Sequence, residues 1–135
     1  MSEYLKPLPV PNEDSVPFWE AAKRHELSLQ QCNACSAFRF PPGPLCPECN
    51  VMGGDWTRVK GQGKIYSFVV FHRAYHKGFE DKLPYAVALV ELDEGPRVMS
   101  NILGTAPEQL KCDMRVEAVY EDVTPGVTLP QFRLV

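Results

Sequence analysis

With 135 residues, 44% of them hydrophobic, the chain is sized for one compact globular unit or two small ones. A formal charge of −3, from 14 Lys plus Arg against 17 Asp plus Glu, supplies no global basic field for nucleic acid. The N-terminus lacks the apolar run of a signal peptide, no stretch is long enough to span a membrane, and five cysteines without a secretion signal fit a reducing cytoplasm.

Residues 1–13 carry Pro7, Pro9 and Pro11, which fix three φ angles and remove three donors, so this arm is expected to be extended and to lie across something larger. Asp14 or Ser15 then caps a short helix with Pro17 in its first turn. That helix, running to about His25, sets Phe18, Trp19 and Ala22 on one side, with Trp19 read first as a core anchor. Glu26 to Gln31 alternates, Leu27 and Leu29 facing one way, and reads as a strand feeding the first cysteine pair.

Cys32-Asn-Ala-Cys35 and Cys46-Pro-Glu-Cys49 are two hooks separated by ten residues. Each hook aims two sulfurs at one point, and the intervening loop, rich in proline and glycine, folds the second pair opposite the first. The spacing predicts a zinc ribbon over residues 14–54 together with the leading helix. Two disulfides would need an oxidising compartment, and exchange chemistry suits a single hook better than two sharing one locus. Rubredoxin-type iron uses the same four sulfurs and stays open beside zinc. Four protein thiolates leave no position for water, so the ion is structural. Phe38 and Phe40 share a face over the metal, with Arg39 pointing opposite.

From residue 55 the pattern turns to strands: Trp56 to Lys60, then, past Gly61-Gln-Gly63, Lys64 to Arg73, expected to be buried on both sides for part of its length. Tyr66, Phe68 and Phe71 are assigned to the core. A polar, aromatic loop precedes Tyr85 to Leu92, and Asp93-Glu-Gly95-Pro96 turns the chain into Arg97 to Leu103. One helical turn at Ala106 to Leu110, a strand from Met114, and Leu129 to Leu134 complete the set. Cys112 is expected to be a partly buried thiol beside a turn. Five or six strands with a short helical turn before a late one predict a mainly β protein whose residues 55–135 close into a small OB-type barrel.

Phe18-Trp19, the two hooks around Phe40-Pro41-Pro42, Gly63-Lys-Ile-Tyr-Ser-Phe68, Gly78-Phe79 and Leu83-Pro84-Tyr85 through Gly95 together resemble the zinc-ribbon plus OB-fold proteins that accompany thiolase-like enzymes of acyl-CoA metabolism. The resemblance covers nearly the full length. It implies an auxiliary, non-catalytic subunit that binds a thiolase, condensing enzyme or thiolase-like aldolase and helps to handle acyl-CoA thioesters. Relatives tend to flank the methionine before the fifth strand with glycine and proline; Cys112-Asp113-Met114-Arg115 departs from that, so a local change of turn is expected there.

Residues 64–85 support the same reading with six aromatic residues beside Lys64, Arg73, Lys77 and Lys82. Rings with cations suit an adenine and its phosphates, and equally suit docking on a larger enzyme. Trp19, Arg73, Tyr75, His76, Lys77 and Phe79 are the candidate partner or CoA contacts. The alternative is a single-stranded nucleic-acid-binding protein, because OB barrels combine aromatic platforms with basic grooves; the acidic total opposes it. His25, His72, His76 and Cys112 form no recognisable relay, so no catalytic residue is assigned.

Overall fold

The structure, a computed structural model, describes residues 6–135. The first five residues of the expected arm lie outside the described residues. From Lys6 onward the arm has no regular structure; Lys6 Nζ stands 4.9 Å from the centroid of Phe79, and Pro9 and Pro11 line a small groove with Val16 and Trp19.

Helix α1 spans Val16–Lys23. Ser15 occupies the N-cap position without a side-chain cap; it closes a turn instead, its N–H donating to Asn12 Oδ1 (2.9 Å) and its Oγ accepting from the Asn12 N–H (3.0 Å). The helix stops short of His25. The His25 and Glu26 amides turn back to the carbonyls of Ala22 (2.9 Å) and Ala21 (3.0 Å), with His25 in the left-handed region at φ 59°. That is a Schellman ending with histidine where glycine is usual. Phe18, Ala21 and Ala22 are buried, while Trp19 is partly buried and edge-on to Phe18 at 5.2 Å.

β1 (Leu27–Gln31), β2 (Phe38–Arg39) and β3 (Asp55–Val59) form one three-stranded sheet in the order β2-β1-β3. The segment expected as the first barrel strand therefore pairs with β1, from Leu27↔Val59 to Gln31↔Asp55. Buried Leu27, Leu29 and Val59 join this sheet to the main core, which explains the choice: β3 covers an apolar face that the ribbon alone would leave wet.

β4 (Gln62–Phe71), β5 (Tyr85–Leu92), β6 (Arg97–Leu103), β7 (Arg115–Thr124) and β8 (Val127–Leu134) follow one another around a closed ring ordered β4-β5-β6-β8-β7. β4 returns to β7 through Gln62↔Glu117 to Lys64↔Arg115, and the thinnest seam is the parallel β6–β8 contact, Ile102↔Phe132 and Leu103↔Arg133. Gly63 sits where an added Cβ would collide with the Glu91 carbonyl, so the crossing of β4 over β5 requires glycine. Ile65, Val90, Leu92, Val116 and Phe132 fill the interior.

Four expectations about burial are corrected. β4 is buried on one side only: a bulge between Ile65 and Ser67 reverses the alternation, leaving Tyr66 44% exposed and placing Phe71 on the outer side with Tyr85. Phe68, on the inner side, packs partly against the core. Cys112 is exposed rather than partly buried, in a turn that Asp113 closes at φ 72°. The ribbon side and the barrel meet again at His25, whose Nε2 lies 3.1 Å from Asp122 Oδ1 and whose ring stacks on Tyr120 at 5.2 Å. Among the described residues no helix is long and apolar enough to cross a membrane.

Candidate metal centre and aromatic mouth

The two hooks are the same turn used twice. In the first, the Cys32 N–H donates to Ala37 O (2.8 Å) and the Ser36 N–H returns to Cys32 O (3.0 Å). In the second, the Cys46 N–H donates to Val51 O (3.0 Å) and the Asn50 N–H returns to Cys46 O (2.9 Å). Each turn closes on a left-handed residue immediately after its second cysteine, Ser36 at φ 66° and Asn50 at φ 63°. Asparagine there was a readable signal; serine was not.

This geometry brings all four Sγ atoms within 4.8 Å of one another. Cys32 and Cys49 approach to 3.5 Å and Cys35 and Cys46 to 3.6 Å, too far for a covalent S–S bond. A tetrahedral ion with metal–sulfur bonds of about 2.3 Å needs edges of about 3.8 Å, so the donor set fits. Backbone amides prepare the charge: the N–H groups of Cys35 and then Ala34 bring the Cys32 thiol down to about 6, and the Cys49 N–H lowers Cys46. The Val51 N–H favours the Cys49 thiolate too, but burial and the three neighbouring sulfurs outweigh it and push that thiol up to about 12.

Arg39 is the residue the sequence reading passed over. It is only 5% exposed, with Nε donating to Gln30 Oε1 (3.1 Å) and Gly43 O (3.0 Å) and Nη2 donating to Gly53 O (3.0 Å). Gln30 Oε1 also accepts from the Gly43 N–H (2.8 Å). The guanidinium thus ties β1, the loop before the second hook and the glycines after it into one piece. Nothing in a β-alternating Phe-Arg-Phe distinguishes it from a solvated side chain.

The candidate contacts separate into two places. Trp19 stays on α1 beside the arm. The other candidates lie at one mouth of the barrel, where Phe79 stacks on Tyr85 (4.9 Å) and Tyr85 on Phe71 (5.1 Å), Tyr75 meets Phe71 edge-on (6.0 Å), and Arg73 covers Tyr75 (5.6 Å). His76 Nδ1 accepts from the Gly78 N–H (3.0 Å) and so starts the 3₁₀ helix Lys77–Lys82. Lys77 is exposed on that helix. Beneath it opens a groove of about 660 Å³ lined by Phe79, Lys82, Asn101, Asp122 and Gln131. The sequence marked these rings by composition; β4–β5 register pairs Phe71 with Tyr85, and the fold of the intervening loop adds Phe79 and Tyr75 to make a ladder.

The zinc-ribbon family model "ChsH2, rubredoxin-like zinc ribbon domain" matches residues 19–51, and "ChsH2, C-terminal OB-fold domain" matches residues 56–121. The "Probable enoyl-CoA hydratase alpha subunit" of Thermomonospora curvata is 43% identical over 96% of this chain, which spans 40% of that protein's length. A "DUF35 domain-containing scaffold protein" of Methanocaldococcus jannaschii is 36% identical over 81% of each chain. Among solved structures, a chain of the "Ltp2-ChsH2(DUF35) aldolase" superposes with a TM-score of 0.85 at 42% identity, covering 94% of this chain and 98% of that one. With the ribbon, the barrel and their order all matched, this chain belongs to the DUF35 family in its ChsH2-type arrangement of zinc ribbon followed by OB-fold.

Proposed function

We propose that the chain is a non-catalytic auxiliary subunit that binds a thiolase-like enzyme and assists in handling acyl-CoA thioesters, with zinc held structurally by Cys32, Cys35, Cys46 and Cys49. The observation that carries this reading is the pairing of a closed four-thiolate cluster with an exposed ring-and-cation mouth, in a family whose relatives are named as hydratase alpha subunits, scaffold proteins and an aldolase component. The four sulfurs leave no open position, so the ion supplies rigidity and no chemistry. Arg39 and the hooks hold the ribbon in one piece, Phe18, Leu27, Leu29 and Val59 pack it against the barrel, and the proline arm and the 72–84 loop present the contact surface. In this reading the domains are an arm over 1–13, helix and ribbon over 14–54, and an OB-type unit over 55–135, whose first strand, β3, pairs with the ribbon sheet while the barrel ring begins at β4.

Co-purification from the native source with mass spectrometry is expected to return an enzyme subunit of thiolase type, whose thioester turnover depends on this chain. Metal analysis is expected to find one zinc per chain; iron would overturn the choice of ion alone. Cys49→Ala is expected to lose metal and partner together, and a folded variant that still binds its enzyme would end the scaffold role. Double charge reversal, Arg73→Glu with Lys77→Glu, is expected to weaken the complex about tenfold; unchanged affinity removes that loop from the account.

A further inference from the structure

The outer face of the second and third strands of an OB barrel, with the loop between its first two strands, is where such folds ordinarily seat ligands. Here those are β5, β6 and the 72–84 loop, and the face is aliphatic. Register sets Val69 beside Val87 and places Leu89 between Ser67 and Met99, while the alternate residues Ala86, Ala88 and Val90 point into the core. Val69 is 57% and Met99 69% exposed. The strip begins at Tyr66, which the Arg97 guanidinium covers at 3.7 Å, and at its other end runs into the Phe71–Tyr85 stack and exposed Tyr75.

Charge decides what kind of partner fits. The cation nearest the aliphatic centre, Arg97, is already paired with Glu91 at 3.2 Å, so a polyanion gains little there. A nucleobase would meet branched and thioether side chains in place of a flat ring, and a small ligand would meet a convex sheet in place of a cleft. A contiguous apolar centre with charge at its rim is the anatomy of a protein–protein contact. At that rim Arg73 and Lys77 form no ion pair among the described residues, which calls for carboxylates opposite them.

We propose that the outer face of β4–β5–β6, centred on Val69, Leu89 and Met99, is the surface on which the partner enzyme subunit docks, through an aliphatic patch flanked by carboxylates that meet Arg73 and Lys77. This rests on the reading of the chain as an enzyme's auxiliary subunit. The test uses the full metal-loaded chain and the enzyme subunit that co-purifies with it, identified by mass spectrometry and produced separately. Calorimetric titration is expected to show binding weakened about 30-fold or more by Met99→Glu and by Val69→Lys, and retained by Met99→Leu, with metal content and thermal midpoint unchanged. Met99→Cys in a Cys112→Ser background, labelled with a photo-crosslinker while the four ligand thiols hold their metal, is expected to join covalently to the same subunit, a readout independent of any loss of stability. If the enzyme binds both charged variants as tightly as wild type and the crosslinker does not reach it, the inference falls and the auxiliary-subunit reading stands. If no enzyme subunit co-purifies with the wild-type chain, both fall. A wild-type homodimer that Met99→Glu dissociates while enzyme affinity is unchanged would assign the face to a second copy and overturn the proposal.

Discussion

Between Cys32 and Gly54 the buried side chains are two thiols and one guanidinium, Cys32, Cys46 and Arg39. From Gln62 onward the chain instead buries Ile65, Val90, Leu92, Val98, Ile102, Val116 and Phe132 inside a hydrogen-bonded ring. The two regions solve the same problem by different means. A ribbon of this size cannot remove enough apolar surface from water to offset its ordering entropy, so coordination and a buried hydrogen-bonded cation take that place. The barrel needs neither. The difference teaches that removing the metal should unfold the ribbon, and with it the seat of the arm and leading helix, while the barrel keeps its fold.

Stripping the metal breaks the comparison most directly. It should remove apparent folding free energy on the order of 10 kcal/mol from the ribbon and leave the barrel strands protected in hydrogen exchange; simultaneous loss of both would merge the two regions into one. Phe132→Ala acts on the other side, emptying a fully buried position at a cost of about 3–5 kcal/mol, read as a lowered denaturation midpoint with metal content unchanged. Arg39→Ala should cost about 3 kcal/mol by leaving Gln30 Oε1 and the carbonyls of Gly43 and Gly53 without their charged donor, and the loss should be confined to the ribbon's exchange protection.

The smallest expected effect concerns the clasp between them. The Thr128 hydroxyl, and after it the His25 imidazole, hold the Asp122 carboxyl below the usual carboxylate range. A depressed folded value means the carboxylate stabilises the fold above the unfolded pKa of about 3.9 and loses that contribution as pH falls through the folded value. Asp122→Asn should therefore lower the thermal midpoint slightly at pH 7, with the gap to wild type closing below about pH 4. A gap that persists in acid would assign the effect to the position of the His25 ring on Tyr120 rather than to charge.

Much of the candidate site was legible because local spacing carries it. Two Cys-x-x-Cys hooks define their own turns, and a period of two in Tyr85 to Leu92 defines a strand whose observed bounds coincide with those expected. The misassigned pieces depended on partners distant in sequence. Asp55–Val59 has the composition of a barrel strand but was claimed by β1. Tyr66 looks like core until its neighbour Ile65 takes the inner side, and Phe71 until the bulge shifts the alternation and turns it outward. Arg39 looks solvated until β1 and two loops close over it.

The order of residues alone specified a four-sulfur cluster, a helix led by Pro17, and enough short strands to close a barrel, because each of these follows from contacts within a few positions. Which strand joined which sheet, which rings stacked into a ladder, and where aliphatic side chains stayed exposed were decided only when the ring closed, since register is set by whichever neighbour the chain meets in space.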